Sequence, residues 1–220
     1  NPVDMIFAND IEKSACEIFE KNFKSPIENK DIRNIPSSDL PDHDILIAGF
    51  PCQPFSIVAQ NPPRIGFNSN IGQLFFEIIR ILKDKQPLCF VVENVKGILS
   101  ANNGKAFSLI LKEFSKIGYT LDYKLINSEN FGIPQRRERV FIAGFRNDLK
   151  TKPKITESNK QGVPLKTILT SSRYIDKKYY FSKKAVDGMK RSNPAMNKGR
   201  VQDINGTCAT VGAHLAKVSL

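Results

Sequence analysis

Two short apolar runs fix most of what this chain can become. Ile45-Leu46-Ile47-Ala48-Gly49, entered at Asp44, and Leu88-Cys89-Phe90-Val91-Val92 are too short for helices and too continuously apolar for strands with one wet face. Runs of this kind read as strands of a parallel sheet buried on both faces. Between them, Gln73 to Lys85 sets Leu74, Phe75, Ile78, Ile81 and Leu82 at helical spacing. The same alternation extends outward. Met5 to Ala8 reads as a strand ending at Asn9-Asp10. Glu12 to Phe23 reads as a helix with Ala15, Ile18, Phe19 and Phe23 on one stripe and Cys16 in the packed region. Lys105 to Lys116 reads as a helix, and Tyr119 to Ile126 and Arg139 to Phe145 as strands. Strands alternating with helices predict an α/β fold with a parallel sheet covered on both faces.

After Lys150 the pattern weakens. Pro153, Pro164 and many Ser, Thr, Asn and Lys residues mark a boundary, dividing the chain into residues 1–150 and 151–220. Charge divides at the same place. The chain carries a net +11, yet residues 1–150 hold 19 Lys/Arg against 18 Asp/Glu, while residues 151–220 hold 14 against 4. The basic third reads either as a solvated tail or as a surface for a polyanion. Hydrophobic residues at 40% fit a globular protein, and no apolar run approaches the ~18 residues of a membrane span. The start shows no signal-peptide pattern. Cys16, Cys52, Cys89 and Cys208 form no Cys-x-x-Cys pair, which argues against zinc and disulfide frameworks and for a reducing, cytoplasmic setting. His43 and His214 are too scattered to hold a metal.

Polar residues gather where the apolar runs stop. Cys52 leaves the end of the first run inside Phe50-Pro51-Cys52-Gln53-Pro54-Phe55-Ser56, with a proline on either side at positions 51 and 54 that stiffens the turn. Open α/β sheets bind ligands at that edge. Cys52 is either a small buried hydrophobe or a nucleophile held rigidly at the active edge. Asp10 and Asp31 stand near strand ends. A carboxylate there suits the paired hydroxyls of a ribose, and Asp10 equally suits the cap of the following helix. Glu93 follows five apolar residues, as a proton carrier or one half of a salt bridge. Arg137 and Arg139 are two apart in Gln135-Arg136-Arg137-Glu138-Arg139. On a strand both would face one way, toward an electron-rich base edge, a phosphate or solvent. Residues 54–72, with Pro62-Pro63 and Gly66, form a polar connection long enough to be functional.

Taken together, these motifs resemble the cytosine-5 DNA methyltransferase family of bacterial restriction–modification type. Gly49-Phe50-Pro51-Cys52-Gln53-Pro54-Phe55-Ser56 resembles its nucleophile motif, Glu93-Asn94-Val95 its Glu-Asn-Val motif, and Gln135 to Arg139 its arginine motif. Asp10-Ile11 and Asp31-Ile32 fall where the family's cofactor segments fall. Gly72-Gln73-Leu74-Phe75-Phe76 matches the helix start after the catalytic loop. Arg200 and Thr210 lie ten apart, as in the motif that packs target recognition against catalysis. The likeness covers roughly residues 5–146 and 199–213. The family's Phe-x-Gly-x-Gly turn, which precedes the first strand, and its last motif are absent from the 220 residues, and Ile71 stands where an Arg is usual.

The resemblance implies a Rossmann-like S-adenosyl-L-methionine-dependent methyltransferase sheet, N-terminally incomplete, over residues 1–150. A partial target-recognition domain would occupy residues 151–220. Cys52, Glu93, Arg137 and Arg139 would be catalytic. Asp10, Ile11, Asp31, Ile32, Pro51 and Leu74 would bind the cofactor, and Gln53, Ser56, Arg64, Arg200 and Thr210 would contact DNA. Residues 54–72 would close over a cytosine flipped out of double-stranded DNA. No metal is implied. The setting would be the bacterial cytoplasm and nucleoid, with a companion restriction endonuclease as a partner. Two other readings stay open: a non-catalytic DNA-binding fragment or split subunit, and an RNA cytosine methyltransferase. A nicotinamide-dependent oxidoreductase lacks its glycine fingerprint here.

Overall fold

In the computed structural model, residues 3–51, 74–191 and 202–210 are described. The chain divides into two compact units, Asn1–Leu125 with Arg139–Ile155, and Ile126–Glu138 with Thr156–Leu220.

The first unit opens with strand β1 (Asn9–Asp10), helix α1 (Lys13–Phe23) and strand β2 (Glu28–Asn29). The two strands form their own parallel two-stranded sheet. Strand β3 (Ile45–Gly49) follows, then helix α2 (Leu74–Lys85), strand β4 (Cys89–Val95), helix α3 (Lys105–Lys116) and strand β5 (Tyr119–Asn127). After a two-residue strand β6 (Gln135–Arg136), β7 (Glu138–Arg146) completes a four-stranded sheet of order β3-β4-β7-β5. α2 stops where Gln86 turns to φ 47° and Pro87 follows, a residue that cannot extend the ladder. α3 begins after Gly104 at φ 80°.

Both of these helices bury one stripe. Phe75, Ile78, Ile81 and Leu82 of α2, and Ala106, Phe107, Ile110 and Phe114 of α3, turn inward. Aromatic rings connect them. Phe50 meets Phe75 at 5.5 Å between centroids, Phe75 meets Phe114 at 5.4 Å, Phe114 meets Phe90 at 4.5 Å, and Phe90 meets Tyr119 at 5.1 Å. The core thus runs from the far end of β5 to the residue just before Pro51. The Tyr119 phenol, 2% exposed, donates to the Pro87 carbonyl at 2.8 Å, which satisfies its one polar group.

Several expectations change. β3 and β4 are parallel, but β4 and β7 run antiparallel, so the sheet is mixed rather than parallel throughout. β3 is not buried on both faces: Ile47 is 76% exposed. Met5 to Ala8 is not a strand; pairing begins at Asn9, and Met5, Ile6 and Phe7 are exposed. The apolar stripe on α1 is largely wet, with Ile18 and Phe23 exposed and Cys16 alone buried. The connection at residues 54–72 lies outside the described residues.

The second unit holds β6 parallel to strand β8 (Cys208–Ala209), with helix α4 (Lys183–Arg191) between them in sequence. Its framework is polar. The Glu129 carboxylate accepts from the Asn127 amide at 2.7 Å and from the Thr207 hydroxyl at 2.8 Å. Tyr174, Tyr179, Tyr180 and Phe181 are exposed along a Lys- and Arg-rich stretch, and Arg173 and Lys178 lie over the rings of Tyr174 and Tyr179. No helix among the described residues is long and apolar enough to cross a membrane.

Candidate active site

Parallel pairing brings the carboxyl ends of β3 and β4 to one edge, with Gly49 directly opposite Glu93. Because Gly49 has no side chain, the space beside the Glu93 carboxylate stays open: a Cβ there would sit 3.8 Å from Glu93 Oε2. β7 enters the sheet antiparallel at this same edge, where Arg139 pairs with Val95. Its guanidinium Nε donates to Glu93 Oε1 at 2.8 Å. The Arg139 side chain is 18% exposed and that of Glu93 37%, so the pair is shielded yet reachable. A charge-assisted bond of this length fixes the carboxylate's orientation. Glu93 lies within β4, not beyond its end.

Alternation along β4 sends Asn94 the opposite way, into the core, where it is 3% exposed. Its amide donates to the Phe50 carbonyl at 3.2 Å, and its own oxygen accepts from the Val95 N–H at 2.8 Å. Asn94 thereby anchors the chain one residue before half-buried Pro51. Cys52, Gln53, Ser56, Arg64 and Arg200 lie outside the described residues. Of the other cysteines, Cys16 and Cys208 are buried, and burial pushes the Cys89 thiol above its usual range. A desolvated thiol of that kind is a poor nucleophile.

A second cluster forms on β1 and β2. Two asparagine amides cross this short ladder in opposite directions. Asn9 donates to the carbonyls of Glu28 (2.9 Å) and Lys30 (2.7 Å), and Asn29 donates to those of Asp10 (3.1 Å) and Ile11 (2.9 Å). The Asp10-Ile11 and Asp31-Ile32 segments are thus held side by side. Asp10 Oδ1 accepts from the Glu12 N–H at 2.8 Å. Glu12 itself is the residue that caps α1. Asp31 caps a short 3₁₀ turn (Ile32–Asn34) by accepting from the Arg33 N–H at 2.9 Å. The Arg33 guanidinium grips both of its oxygens and holds the Asp31 carboxyl down at about 2. Ile11 is exposed, while Ile32 and Leu74 are half-buried.

Arg137 and Thr210 belong to the second unit. Arg137 lies between β6 and β7 rather than on a strand. Its N–H donates to Asn127 Oδ1 at 3.1 Å, and Thr210 Oγ1 donates to the Arg136 carbonyl at 2.8 Å. The structure therefore joins Glu93 with Arg139, and Asp10 and Ile11 with the start of the Asp31 turn. Sequence reasoning missed Asn9, Asn29 and Arg80. A signal for Arg80 was present: it is a lone cation in the apolar run of α2, three residues after Glu77. Among the described residues no group of His, Cys, Asp and Glu could hold a metal ion.

The model of the C-5 cytosine-specific DNA methylase family matches residues 1–209. The chain is 39% identical over 194 residues to the type II methyltransferase M.NgoBI of Neisseria gonorrhoeae, covering 86% of this chain and 59% of that protein. It is 39% identical to M.BsuFI of Bacillus subtilis, covering 81% and 45%, and 41% identical to M.HaeII of Haemophilus aegyptius, covering 80% and 54%. The chain spans about half the length of the curated relatives it matches. Among solved structures, the S. pombe Dnmt2 methyltransferase superposes with a TM-score of 0.71 at 18% identity, covering 99% of this chain and 67% of that one. The Entamoeba histolytica methyltransferase EhMeth gives 0.64 at 18% identity, covering 83% and 57%. These likenesses establish the Rossmann-like methyltransferase fold.

Proposed function

The chain belongs to the C-5 cytosine-specific DNA methylase family, and from that premise we propose that it carries the catalytic centre of a DNA (cytosine-5-)-methyltransferase. The observation that supports this most is the Glu93–Arg139 pair, set at the edge of the sheet opposite Gly49, three residues before Cys52. A carboxyl group oriented by a guanidinium suits the ring nitrogen and the carbonyl on one rim of cytosine. A thiol arriving from the neighbouring strand suits ring carbon 6.

In this reading Cys52 adds to carbon 6 as a thiolate while Glu93 holds or protonates ring nitrogen 3, which makes carbon 5 nucleophilic. Once carbon 5 has taken the methyl group and S-adenosylhomocysteine has been released, the carbon-5 proton is lost to solvent. The thiolate is eliminated to restore the carbon 5–carbon 6 double bond, and any proton held on ring nitrogen 3 returns to Glu93. Arg139 orients Glu93 and meets the ring carbonyl, with Arg137 as its neighbour. S-adenosylmethionine supplies the electrophilic methyl group when bound. The residues fit that cofactor. Asp10 uses Oδ1 for the Glu12 amide and keeps Oδ2 to accept from a ribose hydroxyl, while Ile11 and Ile32 offer apolar contacts for a base. Asp31, Pro51 and Leu74 complete the set of cofactor residues.

A stacked duplex hides carbon 6 from any thiol, so the target base must be flipped. Gln53, Ser56, Arg64, Arg200 and Thr210 are assigned to DNA. The basic residues 151–220 are assigned to its phosphates, as a target-recognition domain, and residues 1–150 are assigned as the catalytic domain. The type II names of the relatives support a restriction–modification setting in the bacterial cytoplasm, acting at the nucleoid with a companion endonuclease.

The test is transfer of labelled methyl groups from S-adenosylmethionine to duplex DNA, with transfer RNA as the competing acceptor. Cys52→Ala is expected to abolish product while keeping DNA affinity within about threefold. Turnover by that variant refutes the covalent scheme. Labelling of RNA alone favours the RNA enzyme, and DNA binding without transfer by the unaltered protein favours a binding module.

A further inference from the structure

We propose that Arg80 of α2 is a positioning residue for S-adenosylmethionine binding, because its guanidinium fixes the backbone of the segment that carries Asp31 and Ile32. This rests on the cofactor reading given above.

Arg80 finds a partner from each of its three nitrogens. Nε meets Glu77 Oε2 at 2.8 Å, Nη1 meets Ser37 Oγ at 2.7 Å, and Nη2 meets the carbonyls of Ile32 at 3.2 Å and Ile35 at 3.0 Å. The Ser37 hydroxyl, while accepting from Arg80, donates to Asp84 Oδ2 at 2.6 Å. Glu77, Arg80 and Asp84 are spaced three and four apart, so they share one stripe of α2 beside its buried face. That buried face is locked into the main core, with Phe75 and Leu82 fully buried. The stripe therefore transmits the position of a rigid helix to residues 32–37.

These residues need such support. Their regular structure is only two 3₁₀ turns, Ile32–Asn34 and Ser37–Asp39. Their apolar anchorage is the small cluster of Ile35, Leu40 and Ile81, with Ile32 and Leu46 packed against it. The same seam opens into a cleft of about 600 Å³ lined by Arg33, Ile35, Ser37, Arg80 and Asp84. Packing on Ile81 and the bonds from Arg80 together hold the segment against α2. The Ile32 carbonyl closes the 3₁₀ turn by accepting from the Ile35 N–H at 3.2 Å, and Arg80 adds a second donor to it as well as the donor that meets the Ile35 carbonyl. Only a planar guanidinium can serve the carboxylate, the hydroxyl and the two carbonyls together; a lysine ammonium has three donors and no fixed fork.

Asp31 sits immediately before Ile32, whose carbonyl Arg80 grips. Loss of the grip lets the turn drift, and with it the Asp31 carboxylate and the Ile32 side chain. The expected consequence is a weaker hold on the cofactor with little change in the chemical step, because Glu93 and Arg139 lie on β4 and β7, away from this turn in the chain.

The experiment compares the unaltered protein with Arg80→Met, Arg80→Lys and Ser37→Ala, measuring S-adenosylmethionine binding by calorimetry and steady-state methyl transfer, with circular dichroism as the check on folding. Arg80→Met is expected to raise the Kd and KM for S-adenosylmethionine by about 10- to 30-fold, with kcat and the KM for DNA within about threefold. Arg80→Lys should recover part of the loss, and Ser37→Ala should raise KM by about threefold. A folded Arg80→Met variant with unchanged S-adenosylmethionine affinity overturns the proposal, as does a loss confined to kcat. If Arg80→Met does not fold, an unchanged KM in Ser37→Ala overturns it, and the threefold rise supports it. If the unaltered protein binds no S-adenosylmethionine, the cofactor reading and this proposal fall together.

Discussion

Gly144→Ala should destabilise the first unit far more than one added methyl group ordinarily does. Gly144 pairs with Phe90 across β4 and β7. A Cβ at position 144 would lie 2.2, 2.5 and 2.9 Å from three atoms of the Phe90 ring. Carbon atoms rest about 3.7 Å apart, so the ring would have to withdraw by roughly 1.5 Å. It has no room to do so. Phe90 is fully buried, with Phe114 at 4.5 Å and Tyr119 at 5.1 Å between centroids. Overpacking costs about 1–3 kcal/mol, and each disturbed aromatic pair adds about 0.5–1.5 kcal/mol. The expected loss is about 3 kcal/mol, a large part of the ~5–15 kcal/mol that holds a domain folded. Urea unfolding followed by circular dichroism measures it. The double variant Gly144→Ala/Phe90→Leu removes the clashing ring, so it should be less destabilised than the sum of its parts by at least about 1 kcal/mol. A Gly144→Ala protein within about 0.5 kcal/mol of its parent, or strict additivity in the double variant, refutes the reasoning. The site shares the stake, because Glu93 lies three residues beyond Phe90 and Arg139 five before Gly144 on the same two strands.

Two further outcomes follow from single contacts. Burial pushes the Tyr119 phenol up to about 12. The unfolded chain releases this proton near pH 10, so the contribution to stability is whole below that and is lost as pH rises toward 12. Between pH 8 and 11 the parent should lose about 1 kcal/mol more than Tyr119→Phe in urea unfolding; equal losses in the two proteins would show that Tyr119 is not the group responsible. In the second unit, Thr207→Val removes the donation to Glu129. Bonds to charged groups contribute about 1.5–3 kcal/mol, so amide exchange at Cys208, whose N–H donates to the Pro134 carbonyl, should quicken at least tenfold. Unchanged exchange would mean that the Glu129–Thr207 bond does not secure β8.

What the sequence revealed follows the strength of its periodicity. α2, α3, β5 and β7 were legible to within a residue or two, because each carries a full apolar stripe or run, while β4 continues three residues past the Val92 that ends its apolar run. Strand direction was not, since alternation looks the same read either way. The link between β5 and β7 held a clue: about ten residues with only short turns cannot make the helical crossover that parallel neighbours need. Met5 to Ala8 misled because a strand requires a partner: the Ala8 carbonyl accepts from the Glu28 N–H at 2.9 Å, but among the described residues no strand pairs with Met5, Ile6 or Phe7. In the site, Glu93 and Arg139 were legible as motif members. Their contact depends on the antiparallel register, which no motif displays. Asn94 and Arg80 were opaque as clamps because their partners lie 44 to 48 residues away.

The clamps share a placement with a physical cause. Each stands where regular pairing stops and a segment assigned to chemistry begins: Asn94 at Phe50 ahead of Cys52, Asn29 at Asp10 and Ile11, Arg80 at Ile32 and Ile35, Asn127 at Arg137. A long strand satisfies its backbone groups by pairing with its neighbours, and so presents side chains only at fixed intervals. A described segment that leaves the ladder departs from that geometry, and its backbone groups lose their ladder partners. Side-chain amides and a guanidinium restore those partners without restoring the ladder. The described irregular segments are therefore held by bonds independent of sheet or helix content. Removing Asn29, Arg80 or Asn127 should loosen aim before it lowers overall stability, because the aromatic core from Phe50 to Tyr119 is built without their bonds; Asn94 differs, since its partner Phe50 belongs to that core.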